Sequence, residues 1–319
     1  MAVILEDFLF SLNTVLPVFI IVLVGYYIRR RGTVDEDFIN CVSNVVFYYA
    51  LPAGIFLDVA KTDVRELANP RFVILSIVGT AAVFAGAWLV MARKKDRDPR
   101  SIAASVHAAF RGNYVYVGVP IIQNILGREN LVCSILVVTF TLSFYNVLAV
   151  LVLSVYGGDM RHLHPAKLLL TILKNPMIIA TLLGVAWAAF GLPLPIAAQR
   201  SLSYLKSIAS PLALIMIGAR MVGNSSKGDK GLIGEALLFK LVLGPLFMTA
   251  LCILLGMSQE EIVTMYVLFA VPSAMNVFIM TKSMGGDDSI AANIIVSAVF
   301  LSIPTMTAGI FLLRMLHIV

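Results

Sequence analysis

Two short runs carry residues with chemistry to offer, and both interrupt otherwise apolar sequence. The first is Phe110-Arg111-Gly112-Asn113-Tyr114-Val115-Tyr116-Val117-Gly118-Val119-Pro120 and the second is Phe269-Ala270-Val271-Pro272-Ser273-Ala274-Met275-Asn276. An amide side chain donates to a carboxylate or accepts from an ammonium or hydroxyl, so Asn113 is the first candidate for substrate contact. Its alternative role is to satisfy a broken backbone. Arg111 is a fixed charge inside an apolar stretch, where a charge is costly and normally paired or functional. Its planar guanidinium suits bidentate bonding to a carboxylate; snorkelling, or pairing with an acid such as Asp58, is the structural alternative. Ser273 and Asn276, with Asn113, can ligate a cation such as sodium through oxygen, or simply hydrogen-bond between helices. Gly112 frees the backbone dihedrals, while Pro120 and Pro272 each remove a donor, so each of the three can break a helix.

Other polar residues carry less. Tyr145 and Asn146 make a polar step in an apolar run, and His107, one turn before Arg111, can titrate or bond between helices. Lys240 and Glu235 are spaced too widely for an i,i+4 pair, and both can reach the membrane interface along their stems. Asp287 and Asp288 read as a helix start. Cys41, Cys133 and Cys252 lie far apart in apolar stretches and read as small buried residues. Neither a nucleotide-binding P-loop pattern nor a zinc-protease pattern occurs, so no ATP-driven mechanism and no cofactor is expected.

The elements that must position these residues follow from composition. The chain has 319 residues, 60% hydrophobic and only 13% charged, with a mean hydropathy of +0.93. A soluble domain carries about 25% charged residues, and a bilayer-spanning helix needs roughly 20 apolar ones. Spans are expected at about 8–28, 38–60, 71–92, 101–126, 130–156, 166–190, 196–221, 232–256, 259–284 and 288–314, an all-α integral membrane protein with short connections. The first stretch follows Glu6 and Asp7 and outruns a signal-peptide core, so it is expected to be retained. Loops after odd-numbered spans hold fourteen Lys and Arg against seven on the other side. The richer side is expected to be cytoplasmic and both termini outside. The formal charge of +6 is thereby accounted for by loops at lipid headgroups, and no nucleic-acid partner is expected.

An internal repeat organises the spans. Pro17, Gly25 and Pro52 recur as Pro176, Gly184 and Pro211, each 159 residues on (176 − 17, 184 − 25, 211 − 52). Five spans are repeated twice, as residues 1–157 and 166–319 joined by a short loop, 158–165. Because five is odd, the second copy is inverted, the architecture of many secondary transporters. Phe110 and Phe269 share the 159 offset, and Gly112-Asn113 sits opposite Pro272-Ser273 with one residue of slippage. Both halves therefore break at one depth, in spans four and nine. Backbone groups freed there must be buried in protein or wet, and the new helix N-termini attract anions.

At these residues the chain resembles the auxin efflux carrier family, the plant PIN-type transporters and bacterial malonate-type carriers, over essentially all ten spans. Gly112-Asn113 with Val117-Gly118-Val119-Pro120 is similar to the family's crossover, and Pro272 onward to its partner. Leu51-Pro52, Asn69-Pro70 and Phe144-Tyr145 match further signatures. The resemblance implies a scaffold and a moving subdomain, an elevator-type mechanism, an acid-bearing substrate and a homodimer. Carried over by position, it implies a site of Asn113, Leu51, Ile55, Tyr145, Pro272 and Met275, to which the residue reading adds Gly112, Arg111, Ser273 and Asn276. The long loop of plant members is absent, their acidic residue in span three falls near Ala81, and Phe140 stands where plant auxin carriers are polar. These departures suit a carboxylate carrier of a bacterial inner membrane. The expectation is thus a secondary transporter of mono- or dicarboxylates, driven by a proton or sodium gradient. A sensor binding the same anion without carrying it is the alternative; an intramembrane enzyme lacks any convergent acid, base or metal cluster.

Overall fold

Hydrocarbon offers backbone amides no water, so a chain of this hydropathy has to satisfy them within helices. In the computed structural model, which describes residues 2–61, 69–94, 96–127, 132–157, 176–191, 193–222 and 229–319, every regular element is helical. In chain order they are α1 (Ala2–Arg30), α2 (Glu36–Val45), α3 (Leu51–Ala60), α4 (Pro70–Met91), α5 (Pro99–Phe110), α6 (Val119–Leu126), α7 (Val132–Leu136) and α8 (Leu142–Gly157). There follow α9 (Pro176–Phe190), α10 (Ile196–Arg220), α11 (Lys230–Leu238), α12 (Gly244–Leu254), α13 (Gln259–Ala270), α14 (Met275–Ser283) and α15 (Asp288–Met315). Among the described residues, five stretches are long and apolar enough to cross a bilayer: Glu6–Arg30, Pro70–Met91, Ile196–Ala219, Lys230–Leu254 and Asp288–Met315. The expected connecting loop 158–165 and the start of the sixth expected span lie outside the described residues.

Wide π-helical turns join α2 to α3 (Val46–Ala50), lead into α6 (Tyr114–Gly118), and join α7 to α8 (Val137–Thr141) and α11 to α12 (Phe239–Leu243). Three of the four have one cause in sequence. Pro52, Pro120 and Pro245 each stand two residues beyond such a turn. A proline lacks the amide that would close the regular ladder and its ring presses on the carbonyl four residues back, so the turn widens instead. Pro120 was expected to break its helix. The backbone on either side of it stays helical, and a wide turn takes up the strain.

The helices pack as two groups that meet where α1 lies against α15. In one, α1 lies along α10 and α3 lies along α9 and α10; in the other, α5 is surrounded by α4, α8, α11 and α15, and α12 packs on α13. In the first bundle the backbones come very close. A methyl on Gly25 would strike the Ile215 carbonyl, and one on Gly218 the Val22 carbonyl. The contact recurs between the other two helices, where a methyl on Gly184 would lie 2.8 Å from Val59 Cβ and 3.2 Å from the Phe56 carbonyl oxygen. Small residues permit such approach, which is how apolar helices gain packing energy in lipid.

Polar side chains at the helix ends sort into two sets. Lys94 pairs with Glu235 at 2.6 Å, Arg97 with Asp229 at 2.7 Å, and the Ser101 hydroxyl donates to Asp287 at 2.5 Å. The Asn69 amide donates to Glu261 at 2.8 Å, Arg71 donates to the Leu255 carbonyl, and Arg314 pairs with Asp7 at 2.6 Å. Each of these bonds joins helix ends, or the turns beside them, that are far apart in the sequence. The helix starts repeat as well: Asn69 and Asp229 cap α4 and α11, and Asp98 and Ser258 cap α5 and α13. Each pair is 160 residues apart (229 − 69, 258 − 98).

Candidate functional site at the crossed helix breaks

Aromatic contacts lock the first broken helix in place. Phe110, the last residue of α5, meets Phe84 of α4 edge-on at 5.3 Å and Tyr145 of α8 at 5.6 Å. Beyond it Arg111 turns extended (φ −83°, ψ 105°), and beyond α13 so do Val271 (φ −60°, ψ 149°) and Ala274 (φ −76°, ψ 148°). The two extended segments pair antiparallel, Gly112 against Ser273. The Asn113 amide donates to the Pro272 carbonyl at 2.7 Å, and the Ala274 amide to the Arg111 carbonyl at 3.2 Å. After the crossing, both segments re-enter helices, at Tyr114 and at Met275.

Each break orphans a carbonyl that the next turn would have used, and each is met by a side chain from elsewhere. In an unbroken α5 the Gly112 amide would reach the Ala108 carbonyl; here the Ser273 hydroxyl donates to it at 2.8 Å. In α13 the Leu268 carbonyl faces Pro272, which has no amide to give; here the Lys240 ammonium lies 3.5 Å away. Lys240 is 1% exposed and stands beside the crossing, where a methyl on Gly112 would lie 2.7 Å from its Nζ. The expectation that Lys240 reaches the interface is therefore corrected. Its stem runs inward because the orphaned carbonyl offers a partner that lipid does not. Glu235 does reach an end of the bundle, paired with Lys94.

The remaining expected residues divide. Arg111 is 6% exposed, and its guanidinium donates to Asn146 Oδ1 at 2.8 Å and Met280 Sδ at 3.2 Å; the Asp58 side chain lies outside the described residues. Asn113 is buried and its side chain caps neither following amide. Tyr145 is buried with its hydroxyl against the Gly112 amide, and His107 is buried with neither ring nitrogen bonded among the described residues. Leu51 is buried and Ile55 half-buried on α3, in the other bundle. Asn276 is exposed, and the Met275 side chain lies outside the described residues. Sequence reasoning missed Lys240 and underrated Asn146. For Lys240 a signal existed, a charge midway along an apolar run.

The crossing leaves the Ser273 amide unused by the pairing, sets the Gly112 amide against the Tyr145 hydroxyl, and brings two helix starts together. Such starts present amides with no intrahelical acceptor and a partial positive charge. Arg111 and Lys240 add two basic side chains beside these starts. A family described as membrane transport protein matches residues 10–310. The chain belongs to that family, the auxin efflux carriers. Among relatives in it, a protein of Rhizobium meliloti named "Putative malonate transporter" is 28% identical over 306 residues, covering 94% of this chain and 95% of the relative. An uncharacterized transporter of Methanothermobacter thermautotrophicus is 30% identical over 214 residues, covering 66% and 68%. Another, YfdV of Escherichia coli, is 23% identical over 280 residues, covering 86% and 88%. The auxin efflux carrier match spans both crossed breaks, and a helical membrane protein with transport as its work follows from it.

Proposed function

We propose that the chain is a secondary transporter of small carboxylates that works by alternating access around the crossed breaks. The crossing carries the reading: two interrupted helices, one in each half of the chain, bonded to each other with helix starts and basic groups around them. The ten spans form two inverted repeats, 1–157 and 166–319. That arrangement is supported by the reciprocal contacts of Gly25 with Ile215 and Gly184 with Phe56, where both members differ by 159 (184 − 25, 215 − 56). The bundle holding the crossing moves against the other in an elevator-type step, with the substrate between Asn113 and Tyr145 on one side and Leu51 and Ile55 on the other. The protein is a homodimer of a bacterial inner membrane with both termini outside. The relative named for malonate supports a short carboxylate as substrate.

The test is labelled malonate flux in proteoliposomes. Asn113→Ala is expected to lower it by about 10–100-fold, the worth of a hydrogen bond to a charged group, with monodisperse protein recovered in full yield. Undiminished flux in that variant would remove Asn113 from the site.

A further inference from the structure

Arg111 is a buried cation, and among the described residues no acid pairs with it. Its two bonds among the described residues go to neutral atoms, Asn146 Oδ1 at 2.8 Å and Met280 Sδ at 3.2 Å. The ion pairs among the described residues all lie at helix ends or loops: Arg29 with Glu36, Lys94 with Glu235, Arg97 with Asp96 and Asp229, and Arg314 with Asp7. Buried charged residues comprise Arg111 and Lys240 and no described Asp or Glu. The groups nearest the guanidinium do not offset its charge. Tyr145 and His107 are both in electrostatic contact with Arg111 and both are neutral: the Tyr145 hydroxyl lies against the Gly112 amide, and neither His107 ring nitrogen is bonded among the described residues. On the far side of Gly112, the polar partner of Lys240 among the described residues is a carbonyl, that of Leu268.

A guanidinium stays charged at any accessible pH. Exposed to water in the open states it needs no counter-ion, but an occluded state excludes water, and an unpaired charge is then strongly unfavourable. We propose that the substrate's carboxylate is the counter-ion of Arg111, and that the carrier is therefore an obligate anion exchanger. This rests on the carrier reading above and goes further, to how transport is coupled. Loaded, the site can close because the guanidinium is paired. Empty, it has to close over a bare charge, so it returns only with another anion aboard. The same field disfavours a sodium ion between Asn113, Ser273 and Asn276, and the exchanged anion replaces sodium as the coupled species.

The experiment compares labelled malonate uptake into proteoliposomes filled with unlabelled malonate and into vesicles filled with buffer. Potassium and valinomycin hold the membrane potential constant, so that charge build-up cannot imitate coupling. Exchange is expected to exceed net uptake by about tenfold or more, and collapsing sodium or proton gradients is expected to leave it unchanged. Asn146→Asp keeps the shape of the residue and gives the guanidinium a carboxylate of its own. In that variant net uptake is expected to rise to within about twofold of exchange, while the apparent affinity for malonate falls by about tenfold. A merely structural Asn146 would lower both fluxes together and leave their ratio alone, which overturns the proposal. Should Asn146→Asp not fold, Arg111→Gln reads the same ratio by removing the charge. Net uptake as fast as exchange in the natural protein, or uptake into empty vesicles driven by sodium or protons, sinks the exchange mechanism and leaves the carrier intact. No flux of any short carboxylate in either vesicle sinks both.

Discussion

Gly112→Ala is expected to lower malonate flux by about a hundredfold while the protein still inserts and extracts as a monodisperse species. Its backbone is not left-handed, so alanine meets no conformational penalty there. The penalty is steric. The new methyl would lie 2.7 Å from Lys240 Nζ, 2.8 Å from Val271 Cγ2 and 2.9 Å from the Leu268 carbonyl oxygen. The lysine tip can swing away, but doing so releases the carbonyl it covers; the Leu268 oxygen is backbone and cannot yield alone. Overpacking of this kind costs about 1–3 kcal/mol, and here relief comes by spreading the two extended segments. That movement weakens the Asn113–Pro272 and Ala274–Arg111 bonds that define the crossing. Flux and yield measured on one preparation decide the matter. Normal flux would mean that the close approach of the two breaks is dispensable, and loss of folded protein would mean that Gly112 is needed for folding rather than for the site.

Gly218→Ala is expected to have the opposite signature, loss of the folded protein itself. A methyl at 218 would be driven into the Val22 carbonyl and toward the Tyr26 amide, and one at Gly25 into the Ile215 carbonyl. Both obstacles are helix backbone, so relief requires α1 and α10 to separate along their shared length. The penalty should exceed the roughly 1–3 kcal/mol of ordinary overpacking, lowering the apparent melting temperature by about 10 °C or abolishing monodisperse protein. Gly184→Ala provides a graded control. Its nearest obstacle is the Val59 side chain at 2.8 Å, and a side chain can adjust where a carbonyl cannot. The order of severity, Gly218 beyond Gly184, is therefore part of the expectation. Thermal unfolding of the purified variants would show it, and equal stability of all three proteins would contradict the close packing of α1 on α10.

These two glycines mark how far the sequence could be read. Hydropathy places the long uninterrupted helices well, because an apolar run of sufficient length has few alternatives in lipid. The breaks were legible too, since Gly112-Asn113 and Pro272-Ser273 are the residues that leave a helix with least penalty. Their partnership was harder to see. That Ser273 covers the Ala108 carbonyl and Lys240 the Leu268 carbonyl depends on which helix faces which, and no local pattern encodes it. Lys240 illustrates the difficulty: a lysine stem can run to the interface or into the bundle, and only the orphaned carbonyl decides between them. Pro120 failed as a breaker for a related reason. A proline removes one hydrogen bond, and neighbouring residues can absorb that loss by widening a turn when surrounding helices hold the segment straight.

The claim on which all of this depends is that the crossing lines a cavity open to water from each side in turn and occupied by a carboxylate. The most direct measurement uses Ala274→Cys, at the crossing but outside the proposed substrate contacts, in a background where Cys41, Cys133 and Cys252 are replaced, with a membrane-impermeant thiol reagent applied separately to each face. Labelling from both faces is expected, slowed about tenfold by saturating malonate. Labelling from neither face, or labelling that malonate leaves unchanged, would contradict the account.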